Sequence, residues 1–356
     1  MKPLLFVTGH APAYRIGALA CLHEREQIEL ALFGGRSLHG GPDREGDDDE
    51  LPFPCRRVRP LDLYGLASSG RYRAVVCPTG GRLAPLATWS GTRRARLPLI
   101  LWASLWAHPR TVAHAFTYPP LARLYRSADA LVTYGPHVSA YVERRGARNV
   151  HVAPQAVDND FWRADPGGPP RTAAWSSSPA TTFLYVGRPD AHKGLDSLLA
   201  AWRLAALDPA RARLVLAGGA SAPGAIALGR LSPEELRRVY AGSDVLVLPS
   251  IATRNFREPW GLVVNEAMNR NLAVIVSDAV GAAAGGLVRD GENGLVHGAG
   301  DAASLARAIA RLERDDALRE RFGTAGSNDV LAYSYEAWAE GFSEALASVG
   351  VSRGRW

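Results

Sequence analysis

Short apolar runs alternate with longer amphipathic stretches through the first half of the chain. The runs are residues 4–7 (LLFV), 30–33 (LALF), 74–77 (AVVC), 99–102 (LILW) and 130–133 (ALVT). Runs of apolar or β-branched residues, without polar alternation, suit strands covered on both faces, and their alternation with helical patterns predicts a parallel α/β sheet. Residues 18–26 have helical spacing, whereas 40–54 are rich in Gly, Pro and acids and read as a loop. A sixth run, 150–153, precedes residues 165–180, DPGGPPRTAAWSSSPA, whose Pro, Gly and Ser content predicts a linker.

The pattern then restarts. Strands are predicted at 183–186, 214–217, 245–248 and 273–276, with helices at 194–205, from Ser232, from about Leu262 and from Asp301. Ser232, Pro233 and Glu235 supply an N-cap, a first-turn proline and a capping-box acid. Asp301 caps a helix carrying Leu305, Ile309 and Leu312 on one side. The expected organisation is an N-terminal Rossmann-like domain over 1–164, a linker over 165–180 and a second Rossmann-like domain over 181–356. The last helical pattern, 335–349, either closes the second domain or crosses back to the first.

Composition narrows the class. A chain of 356 residues exceeds what one core usually supports, and 47% hydrophobic with 21% charged residues is ordinary for a globular protein. No run approaches the roughly 18 apolar residues of a membrane helix, and the N-terminus reads as a first strand rather than a signal peptide, so a cytoplasmic enzyme is expected. Cys21, Cys55 and Cys77 are widely spaced, without zinc-ligand spacing, and read as structural thiols. Residues 1–165 hold 21 Lys and Arg against 15 Asp and Glu, whereas 166–356 hold 20 of each, so the net +6 lies in the first half. That surplus suits a solvated surface, an anionic acceptor or peripheral contact with a membrane. Nucleic acid is disfavoured, because no helix-turn-helix, zinc or aromatic RNA-binding signature accompanies the charge.

Two segments of the second half carry candidate chemistry. GRPDAHKG, residues 187–194, follows a strand and opens a helix, so a diphosphate there would meet Arg188, Lys193 and backbone donors. Lys193 stands out because Lys2 is the only other lysine. REPWGLVVNEAM, residues 257–268, places Glu258 ahead of a helix and Glu266 inside it, with Gly261 allowing close backbone approach to a ligand. Eight helical residues span about 12 Å, more than the roughly 5 to 9.5 Å between paired glycosidase carboxylates. The two acids suit opposite ends of one long ligand, a sugar and a ribose, with phosphates between. Spacing alone leaves that reading open beside one of two solvated surface acids.

Together these segments resemble the retaining glycosyltransferases of the GT-B fold, family four (group 1 glycosyltransferases), whose donor domain carries a GR…KG loop and a Glu-x7-Glu motif. YVGRPDAHKGLDSLLAAW, LVLAGG, SDVLVLPS, EPWGLVVNEAM and DGENGLV extend the resemblance over most of 181–325. It implies two Rossmann-like domains facing across a cleft and a nucleoside diphosphate sugar as donor substrate, without cofactor or metal. Gly187, Arg188 and Lys193 would hold the diphosphate, Glu258 the transferred sugar, Glu266 the ribose, and the Trp260, Gly261 and Leu262 backbone would add contacts. Transfer to a hydroxyl acceptor, on a natural product, polysaccharide or lipid-linked group, would retain anomeric configuration.

The sequence departs from the family at Asn271, where Gly is common, and at Gly285-Gly286, where an acid is frequent. The first domain resembles the family through ADALVTYGPHVSAYVERRG and QAVDNDFW, but has Gly9-His10-Ala11-Pro12 in place of a Gly-Gly loop. His108 lies where the family often places a histidine facing the donor sugar, and His10 is a second candidate. Arg15 could reach an acceptor anion, although a solvated arginine at a helix start is the simpler reading. Two alternatives share the features: a sugar-nucleotide epimerase or hydrolase of the same fold, and a non-catalytic sugar-nucleotide-binding subunit.

Overall fold

In a computed structural model of the chain, which describes residues 2–34, 51–81, 83–107, 112–168, 180–254 and 256–351, each predicted apolar run forms a strand. The first sheet contains β1 (Leu4–Thr8), β2 (Ile28–Leu32), β3 (Cys55–Arg57), β4 (Val75–Pro78), β5 (Leu99–Ala103), β6 (Ala130–Thr133) and β7 (Val150–Val152). Their order is β3-β2-β1-β4-β5-β6-β7, and every neighbouring pair is parallel. The order reverses between β1 and β4, which is where open α/β sheets bind ligands.

Unbroken apolar strands follow from helices on both faces. Leu4 and Phe6 belong to one core with Leu30, Val76 and Ile100, while Leu5 and Val7 belong to another with Val75 and Leu101 on the opposite face. The helix Tyr335–Ser348 adds Trp338, Phe342, Ala345 and Leu346 to the first of these cores. It lies so close to the sheet that a Cβ on Gly341 would stand 2.3 Å from the Val152 carbonyl oxygen.

The second sheet has β8 (Thr181–Val186), β9 (Ala212–Ala217), β10 (Ile226–Ala227), β11 (Val245–Leu248), β12 (Ala273–Ser277) and β13 (Leu295–His297), in the order β10-β9-β8-β11-β12-β13, again all parallel. Its order reverses between β8 and β11. The capping box at Ser232 and Glu235 forms, and Asp301 accepts from the Ser304 amide at 2.9 Å. Leu305, Ile309 and Leu312 are fully buried on the helix Ala302–Arg314. This is an α/β chain with two Rossmann-like sheets.

Two compact units result: residues Met1–Ala156 with Ser334–Trp356, and Val157–Tyr333. The second unit thus starts ahead of Thr181, because Arg163 on the short helix Asn159–Arg163 donates to Asn269 at 2.8 Å and to Ser327. It ends at Tyr333, and the last helix belongs to the first unit. Most of the predicted linker, 169–179, and most of the acid-rich loop, 40–50, lie outside the described residues. No helix among the described residues is long and apolar enough to cross a membrane. Cys21, Cys55 and Cys77 are free thiols, and complete burial pushes Cys77 up to about 12.

Candidate donor site

The two candidate segments follow β8 and β11, at the carboxyl edge where the second sheet reverses order. After β8 the chain passes Gly187 and Arg188, makes a single 3₁₀ turn over Ala191–Lys193, and enters the helix Leu195–Ala205 through Gly194. Gly194 has φ 69°, and a Cβ there would sit 2.0 Å from the Pro249 carbonyl oxygen, so only glycine lets this loop approach the one after β11. The Ile251 amide donates to the His192 carbonyl at 2.9 Å, fastening the loops together.

That fastening brings Lys193 to Glu258. The ammonium donates to Glu258 Oε2 at 2.6 Å, and Ser250 Oγ, fully buried, donates to the same oxygen at 3.3 Å. Glu258 is 8% exposed, so its charge is held in a partly dehydrated setting by a cation and a hydroxyl. Its backbone forms a parallel bridge to Val280, and the Gly281 amide donates to its carbonyl at 3.1 Å. Gly281 is another forced glycine: its Cβ would lie 1.9 Å from the Pro259 carbonyl oxygen.

Arg188 bridges to Asp190 at 2.9 Å with 42% of its side chain exposed. The Gly187 amide donates to the Ala217 carbonyl at 2.9 Å and so already has an acceptor. Tyr185 donates to the Arg188 carbonyl at 3.2 Å, and burial, then Asp190 and Glu258, push its phenol upward. His192 packs against Phe256 with ring centroids 4.3 Å apart and the rings tilted, and burial followed by Lys193 lowers its pKa.

The Trp260 side chain is buried. Its indole is 2% exposed and donates to Asn265 Oδ1 at 2.8 Å, while its carbonyl accepts from Ala282 at 2.8 Å. Gly261, at φ 93°, turns the chain so that Leu262 starts the helix Val263–Met268, and neither the Gly261 nor the Leu262 amide has an acceptor among the described residues. About one turn further, half-buried Glu266 accepts from the buried Tyr240 hydroxyl at 2.8 Å. Burial, then Glu266, keep that phenol protonated.

The structure therefore pairs Lys193 with Glu258, Arg188 with Asp190 and Glu266 with Tyr240. His108 lies outside the described residues. His10, half-buried after β1, is in the other unit. Among the described residues no group of three or more His, Cys, Asp or Glu is placed to hold a metal. Ser250 and Tyr240 escaped the sequence reading. Ser250 carried a signal, a serine two positions beyond an apolar strand end, whereas Tyr240 sits on a different helix from Glu266.

Residues 176–329 match the model of the family "Glycosyl transferases group 1". Over that segment the chain belongs to the group 1 glycosyltransferases. A D-inositol 3-phosphate glycosyltransferase of Thermobifida fusca is 30% identical over 297 residues, covering 73% of this chain and 66% of that protein. A phosphatidyl-myo-inositol mannosyltransferase of Mycobacterium leprae is 34% identical over 125 residues, 35% of this chain and 32% of the relative. The chain thus spans about a third to two thirds of the length of these relatives. Among solved structures, Anabaena HepE in complex with UDP superposes with a TM-score of 0.77 at 17% identity, over 98% of this chain and all of that one. A sucrose-phosphate synthase from Thermosynechococcus elongatus gives 0.72 at 19%, over 98% and 99%. At such identities the likeness shows the GT-B fold of this group 1 chain and nothing finer.

Proposed function

We propose that the chain transfers a sugar from a nucleoside diphosphate sugar to an acceptor hydroxyl, with retention of anomeric configuration and without a metal. One observation carries the proposal. The Lys193–Glu258 contact puts a cation for phosphate beside a carboxylate for sugar hydroxyls, at the reversal point of the sheet. The family membership and the UDP held by the superposed HepE structure support the same donor class.

In this reading Lys193 and Arg188 take the diphosphate, aided by the amides of Gly261 and Leu262, and Glu266 takes the ribose. The sugar C1–O bond to phosphate breaks with its electron pair leaving on phosphate oxygen, and the acceptor oxygen bonds to C1 on the same face. The acceptor proton passes to the departing phosphate. Fixed cations stabilise the charge that develops on it, which is where preorganised electrostatics accelerates a reaction most. A cytoplasmic location and peripheral membrane contact through the basic first half complete the proposal.

The test is a thermal-shift screen of nucleoside diphosphates, followed by donor turnover with and without hydroxyl acceptors, with EDTA, and with NMR assignment of the product anomer. Acceptor-dependent, EDTA-resistant transfer with retention is expected. Donor consumption without acceptor would point to a hydrolase or epimerase, and binding without turnover to a non-catalytic subunit; either overturns the reading.

A further inference from the structure

Arg15 begins the first helix after β1, on Ala13–Glu26, and the simplest expectation makes it a solvated arginine. The structure corrects this: Arg15 is 5% exposed. Its guanidinium carbon lies 5.5 Å from the ring centroids of Tyr14, Trp102 and Trp338, so three aromatic residues surround one cation. Nη2 donates to Gln155 Oε1 at 2.6 Å, a neutral acceptor. Nη1 is buried without an acceptor, and so are the indole N–H groups of Trp102 and Trp338. No carboxylate among the described residues forms an ion pair with Arg15.

These unsatisfied groups are all donors. Buried polar groups are almost always bonded, and a buried charge is normally paired. A neutral hydroxyl would satisfy one donor and bring a hydrogen of its own, whereas an oxyanion accepts from several donors and cancels the charge. Arg15 also sits in the first turn of a fourteen-residue helix, whose amino end favours an anion. The carboxyl end of β1, just ahead of it, flanks the reversal point of the first sheet.

We propose that Arg15 binds an anionic group of the acceptor, a phosphate or a carboxylate, so that the acceptor is a charged rather than a neutral molecule. Tyr14, 43% exposed, is the most exposed member of the aromatic cage, and its ring moves aside as the anion reaches Nη1. The role as an acceptor group rests on the transferase reading above, whereas the anion site rests on the first unit alone.

Calorimetry on the full chain tests it with inorganic phosphate, glucose 6-phosphate, glucuronate and glucose, each against wild type, R15Q and R15K, with UDP as a control for the other unit. Wild type should bind at least one of the three anions, and R15Q should bind it tenfold or more weakly, with R15K between. The comparison of phosphate with glucuronate identifies which oxyanion fits. UDP affinity should stay within twofold in all three proteins, and wild-type circular dichroism with an unchanged thermal unfolding profile shows that the first unit of R15Q and R15K is folded. Equal anion binding by wild type and R15Q, no binding of any anion by wild type, or binding of glucose as tight as that of glucose 6-phosphate would overturn the proposal. Failure of wild type to bind any nucleoside diphosphate would sink the transferase reading and leave the anion result to be judged by itself.

Discussion

The two units handle positive charge in opposite ways. Beyond β8 and β11, Lys193 and Arg188 each face an acid, Glu258 and Asp190, before any ligand is present. Beyond β1, Arg15 is more deeply buried than either, yet the one hydrogen-bond acceptor of its guanidinium among the described residues is the neutral side chain of Gln155. A cation already paired can be shared with a phosphate at little cost in burial, because its neighbour keeps the site balanced while ligands come and go. An unbalanced one gains far more from an anion and releases it less readily.

The largest effect should come from making the second unit resemble the first. E258Q leaves Lys193 facing a neutral amide, and turnover should fall about a hundred- to a thousand-fold, read by donor consumption with saturating acceptor. Retention of at least a tenth of the wild-type rate would refute the sugar-binding role of Glu258. The same variant should lower stability by about 1 to 3 kcal/mol, with K193M/E258Q less destabilised than E258Q, because the unpaired ammonium has gone. G281A comes next: its Cβ meets the Pro259 carbonyl, so a denaturant series should show a loss of about 1 to 3 kcal/mol, and an unchanged midpoint would mean the loop yields freely. Y240F removes the hydroxyl bound to Glu266 and should raise the donor KM about 2- to 10-fold with kcat little changed; a kcat effect alone would remove Glu266 from the ribose end.

The smallest effect concerns pH. His297, 2% exposed, has its pKa lowered from 6.5 chiefly by burial, against the raising effects of Gly298, Asp278 and Asp301. The unfolded chain therefore takes up that proton at higher pH than the folded one. The stabilisation is complete above pH 6.5 and is lost as pH falls below it. His192 adds a slope of the same sign. H297Q should flatten the decline in unfolding midpoint between pH 7.5 and 5.5, and an unaltered slope would assign it elsewhere.

Much of this organisation is legible in the sequence. Runs such as 4–7 and 245–248 identify strands because both their faces are covered, and GRPDAHKG with Glu258 marks one edge of a sheet before any coordinates exist. What escapes depends on partners distant along the chain. Arg15 reads as solvated because its burial comes from Trp102 and Trp338, 87 and 323 positions away. The destination of the last helix is hidden likewise, since its apolar face would fit either sheet. Short edge strands such as Cys55–Arg57 and Ile226–Ala227 carry too little pattern to be seen. Lys193 and Glu258 are exceptions among distant pairs, since their motif announces both.

The return of Tyr335–Ser348 to the first unit has a consequence for how the protein is made. A ribosome delivers β1 early, but Leu4 and Phe6 gain Trp338 and Phe342 only after some 330 further residues have emerged. The middle of the chain, complete at Tyr333, is available to fold before the part synthesised first has its full core. During that interval one face of the first sheet waits uncovered, and premature release of the nascent chain near residue 333 would yield a product with a finished second unit and an exposed apolar wall, a ready substrate for holdase chaperones and proteases.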